Sequence, residues 1–140
     1  MEEYKNTKEF NKFKGDAGEV IASVWLEENG FKIVEMNYQN KHGEIDIIAT
    51  NSPSACGRHP SSRARGELVY HFIEVKMRVK DVYGRGREAV DWGKQKRIRA
   101  AAQYYLIKSG LHDAVYSCFD VVEISGWFDN YEIEFLENCF

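Results

Sequence analysis

The spacing of apolar residues along the chain predicts two long helices. In residues 8–29 and again in residues 88–108, apolar side chains recur every three or four positions, as on the buried face of an amphipathic helix. Gly30 and Gly110 follow these segments and provide helix stops. The apolar positions are Phe13, Ala17, Val20, Ile21, Val24 and Trp25 in the first segment, and Val90, Ile98, Ala101, Ala102 and Tyr105 in the second.

Several other segments have the β-branched and aromatic composition of strands. They are residues 31–39, 43–50, 67–79, 114–124 and 127–137. The short turn between the first two predicts an antiparallel pair, the first three can run as a meander, and the second helix can carry the chain back to a strand parallel with a neighbour. With 140 residues and no internal repeat, the chain is predicted to be one α/β domain, residues 1–140, in which two long helices flank a mixed central β-sheet.

The segment at residues 51–66 breaks this regular pattern. It contains both prolines of the chain, together with Ser, Gly and the arginines Arg58, Arg63 and Arg65. This composition predicts a long loop that is mobile in the free protein. Because its arginines can settle on phosphates, we expect the loop to become ordered on nucleic acid.

Charge is distributed unevenly along the chain. The formal net charge is −3, but residues 56–108 hold 13 Lys and Arg against 5 Asp and Glu. Such segregation gives a basic face that suits a polyanion, unless these residues lie on separate solvated surfaces. The chain has no apolar run long enough to span a membrane, no secretory signal, and three cysteines without framework spacing, so we expect a reduced, cytoplasmic protein.

Two predicted strands carry the candidate chemistry. In GEIDIIA, residues 43–49, the carboxylate of Asp46 stands among apolar side chains, which is costly unless its charge is compensated. In FIEVKMR, residues 72–78, strand alternation places Glu74 and Lys76 on one face. If the two strands pair in the right register, Asp46 lies beside Glu74.

Two adjacent carboxylates repel each other, and a divalent cation removes that conflict. Carboxylate oxygens suit Mg²⁺ and Mn²⁺, and Mg²⁺ commonly binds through one or two carboxylates together with substrate phosphate. A nearby lysine can orient or deprotonate a water, or offset charge that develops on the phosphate. The alternative is a structural pair, in which Asp46 and Glu74 are bonded to Lys76 and to backbone amides. Asp120, on another predicted central strand, is expected to be structural and to hold a backbone or Arg partner.

Matching blocks in chain order carry a family resemblance. The blocks are residues 15–31, 43–49, 72–78, 89–106 and 119–124. Together they resemble the YraN-like family of bacterial proteins, which has a restriction-endonuclease-like fold and is similar to archaeal Holliday-junction resolvases. The resemblance implies a metal cluster of Glu19, Asp46, Glu74 and the Val75 carbonyl, with Lys76 as the catalytic lysine. The resolvase relatives suggest a homodimer, which nothing else in the sequence indicates.

The residues and the resemblance together predict an endonuclease that depends on Mg²⁺ or Mn²⁺ and hydrolyses phosphodiester bonds in branched or otherwise structured DNA. The expected catalytic residues are Asp46, Glu74 and Lys76. The residues expected to bind nucleic acid are Arg78, Arg85, Arg87, Lys94 and Arg97. Two alternatives stay open: a nucleic-acid-binding protein of the same fold without cleavage, and an RNA or single-strand nuclease. Tyr104 and Tyr105 are predicted to pack the helix rather than to stack on bases.

Overall fold

The computed structural model describes residues 8–51, 68–78, 90–127, 130–138 and 140. Its helices are α1 (Lys8–Glu28) and α2 (Trp92–Lys108). Its strands are β1 (Phe31–Asn40), β2 (Gly43–Asn51), β3 (Val69–Arg78), β4 (Tyr116–Trp127) and β5 (Asn130–Leu136). The elements follow one another as α1-β1-β2-β3-α2-β4-β5, which is the order that the sequence pattern predicts.

The strands form one mixed sheet in the order β1-β2-β3-β4-β5. Neighbouring strands are antiparallel except β3 and β4, which are parallel. The parallel pair follows from α2, which returns the chain from the end of β3 to the start of β4. A mixed sheet with two helices confirms the predicted α/β class and is compatible with a restriction-endonuclease-like fold. In the described part of the chain, neither helix is long and apolar enough to cross a membrane.

Each helix covers its own apolar cluster on the sheet. Ala22 and Leu26 of α1 pack in a buried cluster with Ile73 of β3. Ile98 of α2 packs in a second cluster with Phe72, the neighbour of Ile73 in β3. Because consecutive β3 residues enter different clusters, the middle of β3 is covered on both faces. A charged side chain there needs a partner or a strong reason to be buried.

Two glycines allow the helices to approach the strands closely. A Cβ at Gly18 of α1 would lie 3.1 Å from the Cβ of Met77 in β3. A Cβ at Gly43, where β2 begins, would lie 3.2 Å from both the Cβ and the carbonyl oxygen of Arg97 in α2. Any larger side chain at these positions would force the helix and the strand apart by a few tenths of an ångström. The contact at Gly18 brings Glu19, the next residue of α1, toward the sheet.

Some predictions fall on residues that lie outside the described ranges. Apart from Asn51, which ends β2, the predicted loop at 51–66 is one of them, and so its mobility stays a prediction. Arg85 and Arg87 are also outside the described ranges, so their expected contact with nucleic acid stays a prediction as well.

Candidate active site

Asp46 lies where β2 stops pairing with β3. The last recorded pair of that antiparallel ladder is Ile47 with Ile73, so the next position brings Asp46 opposite Glu74, as the sequence predicts. Oδ2 of Asp46 accepts a hydrogen bond of 2.9 Å from the backbone N–H of Val75. The carboxylate therefore satisfies a β3 backbone donor just beyond the end of the ladder.

The strand geometry at Asp46 departs from the regular alternation that the sequence analysis assumes. Ile45 and Ile48 pack in the same cluster beneath α2, although strict alternation would put them on opposite faces. The register of β1 with β2 places Asn37 opposite Asp46, and Asn37 has a left-handed backbone with φ of 55°. Asn is one of the few residues that adopt this conformation readily. Asn37 is a residue of the site that the sequence prediction does not include, and an Asn inside a predicted strand is the sequence feature that could have indicated it.

Three carboxylates repel one another here: Glu19 of α1, Asp46 of β2 and Glu74 of β3. Asp46 is mostly buried, and this desolvation, together with the charges of Glu74 and Glu19, raises its pKa from 3.8 to about 7. Burial also raises the pKa of Glu19, although a hydrogen bond with Asn37 acts in the opposite direction. Around Asp46, the hydrogen bond from Val75 therefore does not compensate the effects of burial and of the neighbouring negative charges.

Glu74 is the carboxylate with the closest cationic partners, because two lysines share its Oε1. Nζ of Lys76, two residues along β3, lies 3.1 Å from that oxygen. Nζ of Lys94, from the first turn of α2, donates to the same oxygen. Desolvation lowers the pKa of Lys94, but the bond to Glu74 and its negative charge outweigh that effect, so this pKa is raised overall.

The start of α2 positions Lys94 for this contact. Asp91 has an extended backbone and caps the helix, since its Oδ1 accepts a hydrogen bond of 2.8 Å from the backbone N–H of Lys94. The cap also explains why α2 begins at Trp92, later than the predicted start at residue 88. The sequence predicts that Lys94 binds nucleic acid, which stays a prediction, and its position beside Glu74 is a feature that the structure adds. An N-cap Asp three residues before a lysine was the available signal.

The chemistry of the donor set fits a hard divalent cation. Asp46 and Glu74 offer carboxylate oxygens at one point, and the raised pKa of Asp46 shows that positive charge would stabilise its ionised form. In the described ranges, no group of three or more His, Cys, Asp or Glu side chains is already arranged to hold a metal ion. Glu19 thus acts on the pair through its charge in this conformation, and its expected role as a ligand, like that of the Val75 carbonyl, stays a prediction.

The basic residues predicted to bind nucleic acid occupy different surroundings. Nε of Arg78 lies 3.7 Å from Oε1 of Glu123, and both side chains are largely buried. Arg97 is exposed on α2, one turn after Lys94. Among these described residues, Arg97 is therefore the one whose charge most directly faces solvent.

A second buried polar pair joins β3 to β4. Nδ1 of His71 lies 2.6 Å from Oδ2 of Asp120, and both side chains are 0% exposed. Oδ1 of Asp120 accepts a hydrogen bond of 2.6 Å from the backbone N–H of Asn138. Asp120 therefore has the predicted backbone partner, and its side-chain partner is a histidine that the sequence analysis did not single out.

Comparisons with known proteins agree with the family resemblance. A sequence profile described as the uncharacterised protein family UPF0102 matches residues 18–124, which include the carboxylate cluster and α2. A UPF0102 protein of Clostridium botulinum strain 657 is 37% identical over 132 residues, covering 93% of this chain and 95% of the relative. A UPF0102 protein of Clostridium perfringens strain SM101 is 38% identical over 135 residues, covering 95% of this chain and 98% of the relative. The chain therefore belongs to the UPF0102 family, which is the YraN-like family that its motifs resemble.

Proposed function

We propose that this protein is an endonuclease that depends on Mg²⁺ or Mn²⁺ and hydrolyses phosphodiester bonds in DNA, with branched or structured DNA as its preferred substrate. The observation that carries the proposal is the placement of Asp46 beside Glu74, where burial and repulsion raise the pKa of Asp46 to about 7. A pair of buried carboxylates that disfavours its own ionisation is a suitable place for a cation. Activity on cellular DNA also requires the cytoplasmic location that the sequence predicts.

The residues of the site have distinct roles in this proposal. Asp46 and Glu74 would hold the cation, which supplies a water of lowered pKa and stabilises negative charge at phosphorus when it is bound. The N–H of Val75 orients the Asp46 carboxylate through the hydrogen bond at Oδ2. Lys76 lies beside Glu74 with a quarter of its side chain exposed, so its ammonium can turn toward a phosphate or a water. Lys94 holds Glu74 from the α2 side.

The alternatives predict some of the same contacts. A structural carboxylate pair requires the bonds from Val75 and Lys76, and both are present. Even with these bonds the pKa of Asp46 is raised, so its ionised form destabilises the fold at neutral pH. A pair kept only for stability would be expected to favour the ionised form instead. A protein that binds nucleic acid without cleaving it has no need of such a pair beside its basic residues. The endonuclease proposal therefore explains more of the site.

Cleavage assays on purified protein test the proposal directly. Labelled junction, flap, single-stranded and duplex DNA, with matching RNA, would be incubated with Mg²⁺, Mn²⁺ or EDTA. We expect cleavage of a branched DNA with either metal and none in EDTA, and we expect Glu74→Gln to be inactive. Activity in EDTA, or a Glu74→Gln protein as active as the parent, would contradict the proposed site. Cleavage of RNA or of single strands alone would favour the RNA or single-strand nuclease.

Lys94→Met is expected to bind Mn²⁺ several-fold more tightly than the parent, because the ammonium competes with the cation for Oε1 of Glu74. Cleavage is expected to fall in the same variant, since Glu74 loses the contact that orients it. Isothermal titration calorimetry measures the first effect. Lys96→Met is the matched control, because Lys96 is exposed on the same helix and lies over the Trp92 ring. Weaker Mn²⁺ binding in Lys94→Met than in Lys96→Met would contradict this account.

A further inference from the structure

A basic and aromatic cleft lies on α2 beyond the candidate active site. It has a volume of about 500 Å³ and lies between the end of β1 and the last turns of α2. Tyr105 forms part of its lining but also packs against the core, with its ring centroid 6.1 Å from that of Phe72. Tyr104 differs from Tyr105, because its ring is surrounded by basic side chains. The prediction that both tyrosines serve helix packing therefore describes Tyr105 better than Tyr104.

Two ammonium groups lie over the ring of Tyr104. Nζ of Lys41 is 5.6 Å and Nζ of Lys108 is 5.9 Å from the ring centroid. The ring of His42 is 5.7 Å away, centroid to centroid. Each lysine is within the range of a cation–π contact, and both are exposed, so each ammonium can leave the ring for an anion at little cost. In the described part of the chain, no Asp or Glu lines this cleft.

The turn between β1 and β2 is fixed in place beside Tyr104. Nδ2 of Asn40 donates a hydrogen bond of 3.1 Å to the carbonyl oxygen of Ala101 in α2. Oδ1 of Asn40 accepts a hydrogen bond of 2.8 Å from the backbone N–H of His42. One asparagine therefore holds the turn on the helix, and it places Lys41 and His42 against the aromatic ring.

The cleft is in line with the candidate site. Lys94, Arg97, Tyr104 and Lys108 are spaced by three, seven and four residues, so they follow one stripe along α2. At a rise of 1.5 Å per residue, Tyr104 is about 15 Å from Lys94 along the helix. At the duplex rise of about 3.4 Å per nucleotide along the helix axis, that separation corresponds to about four nucleotides of one strand, and to fewer if the strand is extended. A strand whose scissile phosphate meets Glu74 can therefore reach Tyr104 a few nucleotides away.

We propose that this cleft binds an unpaired nucleotide of the substrate, with its base stacked on Tyr104 and its phosphates on Lys41 and Lys108. This inference rests on the proposed function. It adds that the substrate is a nucleic acid with a single-stranded segment beside its duplex. An aromatic ring flanked by cations is the arrangement that recognises single strands, because every base has a face that stacks. Asn40 is committed to holding the turn, but the exposed side chain of Gln39 adds an amide oxygen at the cleft that can accept a hydrogen bond from a base edge.

Binding measured in EDTA tests this proposal independently of cleavage. Fluorescein-labelled DNA duplexes, blunt or with a ten-nucleotide 5′ or 3′ overhang, would be titrated with the parent, Tyr104→Ala and Tyr104→Phe, and bound fractions read by anisotropy. We expect the parent to prefer an overhang. Tyr104→Ala should weaken that overhang's binding by about 5- to 100-fold, the range for one stacked base, and change blunt duplex binding less than about twofold. Tyr104→Phe should keep the preference, because it keeps the ring.

The salt dependence and a surface control complete the test. Lys41→Gln and Lys108→Gln should each reduce the log–log salt slope of overhang binding by about 0.7. Tyr131→Ala, on the far edge strand β5 and 39% exposed in the parent, should bind every substrate as the parent does. Overhang binding unchanged in Tyr104→Ala, an equal loss on blunt duplex, or a Tyr104→Phe protein as weak as Tyr104→Ala would overturn the proposal. If the parent prefers an overhang through Tyr104 but cleaves no DNA with any metal, the cleft proposal stands and the endonuclease proposal is wrong.

Discussion

Asp46→Asn is expected to abolish metal-dependent cleavage and, in the absence of metal, to stabilise the protein. An asparagine keeps the oxygen that accepts the hydrogen bond from Val75, but it removes the negative charge that burial and Glu74 disfavour. The rise of the Asp46 pKa from 3.8 to about 7 sets an upper limit of about 4 kcal/mol on the gain. Stability gained as activity is lost is the outcome expected where a site keeps an unfavourable charge for function.

The gain depends on pH with a definite sign. The folded protein binds the Asp46 proton more tightly than the unfolded chain does, because the folded pKa is the higher of the two. The free energy of unfolding therefore falls as pH rises from about 4 to about 7, and the cost of ionised Asp46 is complete above pH 7. Below pH 4 both states are protonated, and the cost disappears. Asp46→Asn should match the parent near pH 4 and exceed it most at pH 8.

Urea unfolding in EDTA at a series of pH values measures this difference. Glu132→Gln is a suitable control, because Glu132 is an exposed carboxylate of β5 and its removal should change little. Mn²⁺ should then stabilise the parent but not Asp46→Asn, because the cation binds only the folded parent. Cleavage should fall by more than about 100-fold in Asp46→Asn. Loss of a residue that only supports a metal ligand costs at most about 100-fold, so a larger loss is expected for a ligand itself. An Asp46→Asn protein less stable than the parent at pH 8 would show that buried charge is not the cost inferred here.

The elements that the sequence predicted correctly depend on local periodicity. Helical spacing of apolar residues identified α1 and α2, and residue composition identified the five strands in their order along the chain. Alternation in β3 placed Glu74 and Lys76 on one side, and the antiparallel register brought Asp46 to Glu74. The periodicities are encoded within a few residues, so a single sequence shows them, whereas the β2–β3 register was only a condition until the structure gave it.

Other features depend on contacts between distant segments. Lys94 reaches Glu74 only because Asp91 caps α2 and because Gly43 lets the helix approach β2 at Arg97. The spacing from the N-cap Asp91 singles out Lys94 locally, but it does not show that Lys94 contacts Glu74 until α2 is packed on the sheet. The break in alternation at Asp46 likewise lies opposite a left-handed residue in another strand. Sequence periodicity assumes regular strands, and the candidate site residues here lie where regularity ends.

The pairing of His71 with Asp120 leads to the other large expected effect, which is on stability alone. The two side chains are 49 residues apart in the chain and neither is exposed to solvent. Asp120→Ala would leave buried His71 without this carboxylate and the backbone N–H of Asn138 without its acceptor. A buried donor that loses its acceptor costs about 1–3 kcal/mol, and truncating a fully buried side chain adds the cost of the cavity, so we expect a marked fall in the midpoint of thermal unfolding.

The chain offers a surface pair of the same two residue types as a control. Nε2 of His112 lies 3.5 Å from Oδ2 of Asp113, with side chains 49% and 89% exposed. Because solvent screens this pair, His112→Ala should change the free energy of unfolding by less than about 1 kcal/mol. Mn²⁺ binding by Asp120→Ala, measured at a temperature where it remains folded, should equal that of the parent. Similar losses of stability in Asp120→Ala and His112→Ala would show that burial does not set the strength of the His71–Asp120 pair.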